Sequence, residues 1–374
     1  MRKANVNLPK VIIRSIAIVL SVFLIQLPIY AMAQELRLMT RNLYIGAEIQ
    51  SLAAAETPGD FIAEVQTALE QIAANNFRER AVALAAEIVE KKVKLVGLQE
   101  VYRLTSSIDG LNSEPPFLDY LDELLNELTL QGACYYAAAT VTNLDFGPIP
   151  TPLYGFVSIT DRDVILARCD IESDVVNLTG FCPHRQSMDG CNYQVVALAQ
   201  TPVGPIAFQR GFVGIDTIYG RFFNTHLEVR NPDPSNPLSP LVQRFQAQEL
   251  LIVLNLINSI YPPAGPTIIV GDINSSSDDT GSIMGLESPY MQLADVYYDT
   301  WTLRPGKPQG YTCCFDEDLS IDADLYERID MIFTSEFPDR VKANVVGNDE
   351  EDQSFSGLWP SDHAGVVARI KFAP

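Results

Sequence analysis

The residues of this chain that could do chemistry stand at the ends of short apolar runs. Thr267 to Asp279 reads TIIVGDINSSSDD: Ile268 to Val270 form a buried-strand run that Gly271 ends, so Asp272 and Asn274 emerge at its carboxyl end. Two residues apart on extended backbone, a carboxylate and a carboxamide point the same way. One can take a proton while the other donates hydrogen bonds to the same substrate. GDxN alone is equally an ordinary turn sequence. Other stretches answer it: TRN ends at Asn42, LQE at Glu100 and NTH at His226, RIDMIF places Asp330 at the start of a strand, and SDH closes on Asp362 and His363. A lone histidine is more often structural than catalytic, but the chain has three, and two of them stand at strand ends. A carboxylate such as Glu100 at a strand exit suits a hard divalent cation such as Mg²⁺, although alone it reads equally as a solvated charge.

These positions need a framework to bring them together. Glu35 to Asn42 alternates as a strand, helical spacing follows over about 61–73 and 77–91, and Lys94 to Glu100 is a buried run. Strand, helix, strand in that order brings Asn42 and Glu100 to one edge of a sheet. Pro116 to about Leu130 reads as an amphipathic helix, then strands dominate: 133–141, 164–169, 193–199, 211–218 and 221–226, with a surface loop expected over 147–160. A helix over about 241–257 leads into the TIIVGDIN strand, and strands at 328–333 and 364–372 complete the chain.

Met1 to Ala33 has basic Arg2, Lys3, Lys10 and Arg14, an apolar run and a small-residue Ala31-Met32-Ala33 end, the layout of a cleaved secretory signal. Its removal leaves residues 34–374, which show no linker or internal repeat and are expected to form one domain. Losing four basic residues and no acidic one takes the net charge from −21 to −25. So acidic a surface disfavours charge-driven binding of polyanions, but it leaves a nuclease possible, since bound cations supply positive charge locally. Nothing implies a stable protein partner, and a monomer is expected. Six cysteines in an exported chain point to disulfides. Cys182 and Cys191 are the easiest pair to form; adjacent Cys313 and Cys314 are expected to bond elsewhere or not at all. A zinc site from Cys182, His184, Cys191 and Cys313 or Cys314 is the alternative, though the spacing fits no standard zinc module.

In order and local context, TRNLY, LQEVY, NTHLE, GDIN, RIDMIF and SDH resemble the endonuclease/exonuclease/phosphatase superfamily of metal-dependent phosphoesterases, from Asn42 to His363. The resemblance implies a four-layer α/β/β/α sandwich of two mixed sheets with helices outside. It implies Glu100 as metal ligand with Asn42 on the metal or phosphate side, and Asp362 as the acidic neighbour of His363. It further implies Asp272 and Asn274 as the Asp/Asn pair, His363 as the terminal catalytic histidine oriented by Asp330, and His226 as a second histidine. Arg168 in DVILAR resembles the phosphate-contacting basic position, and Asn224 is a further candidate phosphate donor. Tyr44 stands where some relatives place an acid, so a second metal ligand on that strand is in doubt.

Phosphoester chemistry asks for the same residue types. A cation such as Mg²⁺ (or Mn²⁺ or Ca²⁺) offsets phosphate charge, Asp272 activates water, His363 held by Asp330 stabilises the crowded phosphorus, and His226 protonates the leaving alkoxide. The expected function is that of a secreted or periplasmic phosphodiesterase acting on extracellular nucleic acid or a phospholipid headgroup. Arg103, Arg162, Arg168, Arg185, Arg210 and Arg230 could follow a nucleic-acid backbone, and Leu153 to Phe156 or Leu358-Trp359 could meet lipid. A sugar or inositol phosphate monoesterase is the alternative, disfavoured because GDIN runs into Ser275-Ser276-Ser277-Asp278-Asp279 rather than into a basic residue. A silent binding module of the same fold is the other.

Overall fold

The structure, a computed structural model, describes residues 35–373 apart from 50, 111–115, 183–188, 234, 307–308 and 322–323. The signal-like segment, His184 and Arg185 lie outside the described residues.

Two mixed sheets form the frame. The first has strands in the order Arg340–Val346, Gly365–Lys371, Glu35–Asn42, Leu95–Gln99, Gly155–Arg168, Arg103–Ser107 and Pro116–Asp119, with Tyr135–Thr151 also paired on Gly155–Arg168. The second runs Tyr298–Asp299, Asp330–Thr334, Thr267–Asp272, Gly220–His226, Gly211–Thr217 and Ser173–Val175, with Gly190–Asn192 also on Gly211–Thr217. Inward-facing Leu38, Val141 and Ile165 of the first sheet meet Val213, Val270 and Ile332 of the second in one apolar layer. Each fully buried side chain of this kind contributes about 1.5–3 kcal/mol.

Helices cover the outer faces. Pro58–Ala74 and Phe77–Lys91 lay Phe61, Ile72 and Leu84 against Met39 and Val96, while Leu241–Ile260 lays Leu250 and Leu254 against Phe223 and Ile269. The first of these starts at a reciprocal cap: the Asp60 amide donates to Thr57 Oγ1 at 3.2 Å and the Thr57 amide to the Asp60 carboxylate at 3.0 Å. The result is the α/β/β/α sandwich.

Each sheet has one central parallel pair, and this places the chemistry. Glu35–Asn42 and Leu95–Gln99 run together with Asn42 opposite Gln99, and Gly220–His226 and Thr267–Asp272 run together with His226 opposite Asp272. Both pairs therefore end at the same edge of the sandwich. Two glycines permit the approach. A Cβ on Gly271 would lie 1.9 Å from the Thr225 carbonyl oxygen, and one on Gly97 would lie 2.3 Å from Val270 of the facing sheet.

The structure departs from three of these expectations. The segment expected as a surface loop, 147–160, is mostly paired: Phe146 opposes Ile159, Ile149 opposes Val157 and Pro150 opposes Phe156. Its prolines mask the strand signal, and the pairing absorbs them through register shifts. The helix expected from Pro116 starts only at Tyr120, because Asp119 caps it through the Leu121 amide at 3.0 Å and Pro116–Asp119 pairs as a strand. Cys313 and Cys314 are joined to each other, while Cys182–Cys191 pairs as expected and Cys134–Cys169 closes the third bond. The Cys182–Cys191 bond takes up the sulfurs on which the zinc alternative depended.

Candidate active site

At the shared edge the backbone turns sharply. Tyr44, Glu100 and Asn274 all take left-handed conformations, with φ of 56°, 56° and 51°. Non-glycine residues rarely hold that geometry unless the surroundings impose it. Here they do. The Asn274 amide donates to Asp272 Oδ1 at 2.9 Å, the Tyr44 amide to Asn42 Oδ1 at 2.9 Å and the Ile45 amide to Glu100 Oε2 at 3.2 Å.

Asp272 Oδ2 is the focal atom. Asn42 Nδ2 donates to it at 3.1 Å and to Glu100 Oε1 at 3.1 Å, so one carboxamide links the two sheets. His226 Nε2 lies 3.5 Å from the same oxygen and His363 Nε2 3.8 Å. His363 Nδ1 meets Asp330 Oδ2 at 2.8 Å. Asn42, His226, Asp272, Asp330 and His363 are buried; Glu100, Asn274 and Asp362 are partly exposed and form the open side.

Two buried arginines hold the two ends of the chain around these groups. Arg41 pairs with Glu87 through two contacts, at 3.1 and 3.0 Å, and donates to the His363 carbonyl. Arg80 donates to the carbonyls of Leu43 at 2.8 Å, Pro360 at 2.9 Å and Tyr44 at 3.1 Å. Five donors in a rigid fork suit this clamping of carbonyls.

The two imidazoles have opposite electrostatics. Burial, the Arg210 guanidinium and His363 push the His226 pKa well below its ordinary value. Burial alone would lower His363 too, but the Asp330, Asp362 and Asp272 carboxylates raise it well above the ordinary value. Arg210 Nη1 sits 3.0 Å from His226 Nδ1. A guanidinium can only donate, so Nδ1 accepts and the proton of the neutral ring is on Nε2, facing Asp272. Asn274 Nδ2, 3.3 Å from that nitrogen, has its hydrogen bond to the Leu227 carbonyl at 2.8 Å.

The carboxylates are crowded. Burial, partly offset by His363 and reinforced by Asp330, pushes Asp272 up to about 7. Burial, partly offset by His363 and reinforced by Glu100, pushes Asp362 up to about 6. Among the described residues Asp330 Oδ1 is buried without a hydrogen-bond partner, and Asp272, Asp330 and His363 offer ligand atoms within 4.8 Å of one another. A set of oxygen donors that repel one another fits a hard divalent cation. Glu100 and Asp362 on the open side, with buried Asn42 and Asp272 behind them, would hold it.

Asn42, Glu100, His226, Asp272, Asn274, Asp330, Asp362 and His363 thus converge. Two candidates do not. Arg168 lies at the opposite end of its strand: Gly155–Arg168 is antiparallel to Leu95–Gln99, so Arg168 comes out beside Lys94, and it pairs with Asp170 at 2.6 and 2.8 Å. Asn224 is one strand repeat inside the edge. Its amide donates to the carbonyls of Leu98 at 2.8 Å and Val164 at 3.1 Å and accepts from Gln99 at 2.6 Å, so it joins the sheets instead of facing substrate. Tyr44, where a second acid was in doubt, donates to the Glu317 carbonyl at 3.2 Å.

Of the other arginines, Arg162 is bound to Asp119 at 2.6 Å and Arg230 to Asp279 at 2.9 Å. Arg210 is the one beside a histidine. Its charge is shared with Asp161 at 3.8 Å and Glu228 at 3.5 Å, looser than hydrogen bonds, and its Nε has no partner among the described residues. Asp161, up to about 7 from burial, which Arg210 offsets and Glu100 adds to, was missed by sequence reasoning. The signal was present in TDRDV, where Asp161 and Asp163 take inward positions of an otherwise apolar strand.

No curated protein sequence matches the chain. Among solved structures it is similar to an endonuclease/exonuclease/phosphatase family protein from Leptotrichia buccalis C-1013-b, with 17% identity, 90% of this chain and 100% of that one covered and a TM-score of 0.49. It is also similar to the endonuclease/exonuclease/phosphatase from Bacteroides vulgatus (15%, 91% and 100%, 0.47) and to a mannosyl-6-phosphatase from Bacteroides thetaiotaomicron VPI-5482 (16%, 90% and 100%, 0.46). The model of the Endonuclease/Exonuclease/phosphatase family matches residues 70–363, most of the chain, and the protein belongs to that family.

Proposed function

We propose that the protein is an exported, divalent-cation-dependent phosphodiesterase. The observation that carries this reading is the surrounding of Asp272 Oδ2 by Asn42 Nδ2 and the Nε2 atoms of His226 and His363 at 3.1, 3.5 and 3.8 Å. One carboxylate oxygen flanked by a neutral and a charged imidazole supplies a base, a hydrogen-bond donor and an acid within one phosphate's span.

In this reading Asp272 orients and deprotonates the attacking water, with Asn42 and the Asn274 backbone fixing its carboxylate. The raised pKa makes it a usable base near neutrality. His363, kept cationic by Asp330, donates to the phosphoryl group and protonates the departing alkoxide. His226, with its proton on Nε2, steadies a non-bridging oxygen. The acid expected at His226 thus moves to His363. A bound Mg²⁺, Mn²⁺ or Ca²⁺ would offset phosphate charge as a Lewis acid.

A diester is preferred because the cation at the histidine edge, Arg210, already shares its charge with Asp161 and Glu228. That suits the single charge of a diester better than the double charge of a monoester. Extracellular nucleic acid and phospholipid headgroups are both diesters. Export is supported by the Met1–Ala33 segment and by three cysteine pairs.

The test is hydrolysis of bis-p-nitrophenyl phosphate by the mature chain with Mg²⁺, Mn²⁺ or Ca²⁺, beside p-nitrophenyl phosphate and a panel of plasmid DNA, RNA and sphingomyelin. Cation-dependent diester turnover abolished by Asp272→Ala is expected. Faster turnover of the monoester, or none with any cation, overturns the reading.

A further inference from the structure

The adjacent Cys313 and Cys314 have no part in that hydrolysis, yet their segment is fastened to both members of the His363–Asp330 pair. Thr312 Oγ1 accepts from the amides of Ile329 and Asp330, each at 3.2 Å. The Ala364 amide donates to the Thr312 carbonyl and the Phe315 amide to the Asp362 carbonyl, each at 2.7 Å. Cys313 itself bridges to both Glu327 and His363. Cys313 is buried, whereas Cys314 is partly exposed and gives a reductant access.

Both sulfurs and a ring nitrogen of His363 lie within 4.8 Å of one another. Two thiolates and an imidazole are a soft donor set for a zinc-class cation, chemically unlike the oxygen ligands at Glu100 and Asp362. Three protein ligands are enough for zinc, which keeps its fourth position open.

We infer that Cys313, Cys314 and His363 form a soft-metal site that opens on reduction and switches the enzyme off. While the sulfurs are bonded to each other they cannot ligate as thiolates, and His363 is free to act. An external dithiol reduces the Cys313–Cys314 bond, passing two electrons and two protons to give two thiols and becoming a disulfide itself. Zn²⁺ then displaces both thiol protons and one ring proton of the His363 imidazolium, all three passing to solvent, binds the two thiolates and the freed imidazole nitrogen, and so draws His363 from the phosphoester. The inhibitory consequence rests on the proposed role of His363; the metal binding does not.

Mature protein is reduced with dithiothreitol, desalted without oxygen and titrated with Co²⁺. Thiolate-to-cobalt charge-transfer absorption saturating at one equivalent is expected, and is absent from unreduced protein and from Cys313→Ser/Cys314→Ser. One equivalent of Zn²⁺ should lower turnover of the reduced wild type ~10²-fold or more, the contribution of one acid–base group. The double variant, compared with its own zinc-free rate, should show no such loss. Should it fail to fold, Cys314→Ala at the partly exposed position serves in its place. Absorption equal in wild type and variant overturns the site, and thiolate–cobalt absorption with undiminished turnover removes His363 from the ligand set. If no phosphoester is hydrolysed at all, the cobalt titration still decides the site.

Discussion

Asp272 and Asp330 stand directly opposite each other across antiparallel strands, both buried, with His363 joined to the second and facing the first. Like charges opposed in a sheet are destabilising. The arrangement persists because the imidazolium lies against both, and its pKa rises as a result. Asp330→Asn removes the hydrogen-bonded partner. We expect kcat to fall ~10²–10⁴-fold and the alkaline limb of the pH–rate profile to move to lower pH, as read from kcat and kcat/KM across pH.

The raised carboxyls make a thermodynamic prediction. Asp272 and Asp362 move from 3.8 to about 7 and about 6. The folded chain then holds protons that the unfolded chain has released, so this contribution to stability falls as pH rises from about 4 through about 7. Raised His363 acts in the same direction above its ordinary value, while lowered His226 opposes it below that value. A divalent cation relieves the ionised carboxylates. The rise in Tm on replacing EDTA with Mg²⁺ should be larger at about pH 8 than at about pH 5, and Asp272→Asn should raise the cation-free Tm while shrinking that difference.

Arg210 is expected to hold the tautomer of His226. Arg210→Met removes the donor at Nδ1 and the charge that depresses the ring, so the ring should titrate nearer its ordinary value. Imidazole ¹⁵N chemical shifts should change from an Nε2–H pattern to a mixture of tautomers. The acid limb of kcat/KM should move to higher pH, with kcat down ~10–10²-fold. Unchanged ¹⁵N shifts would remove Arg210 from this role.

Arg168 and Asn224 provide contrasting controls. Arg168→Ala should leave kcat/KM near that of the wild type, since the side chain is bound to Asp170 at the far end of its strand. Asn224→Ala leaves the Leu98 and Val164 carbonyls and the Gln99 amide without their partner. It should cost about 2–5 kcal/mol of stability in denaturant melts, while any folded fraction keeps its pH profile.

Gly271→Ala should be among the most destabilising changes. Its Cβ would meet the Thr225 carbonyl oxygen at 1.9 Å, one residue before both His226 and Asp272. A loss of about 3 kcal/mol or more is expected, accompanied by reduced activity in whatever folds, because the two side chains lose their register.

What the sequence disclosed and what it hid have physical causes. Asn42, Glu100, His226 and Asp272 were legible because each stands at the end of a strand-like stretch, and a strand delivers its end to an edge of the sheet. Strand direction was not legible. Gly155–Arg168 runs antiparallel to Leu95–Gln99, and nothing local to DVILAR says which end Arg168 will occupy. Depth was hidden too: Asn224 and His226 share a face, but only the register with the facing sheet shows that one is inside and the other at the rim. Arg210 comes to His226 because Gly211 opposes His226 in an antiparallel pair, a relation between strands.

The arginine clamp also sets an order of events. Arg41 reaches the His363 carbonyl and Arg80 the Pro360 carbonyl, partners 322 and 280 residues further along the chain. A ribosome therefore delivers Asn42 and Glu100 long before His363, and both guanidiniums must wait for the final strand to dock. Closure that depends on so distant a segment is slow to form, and the shared edge stays unclamped until the strand after His363 has docked.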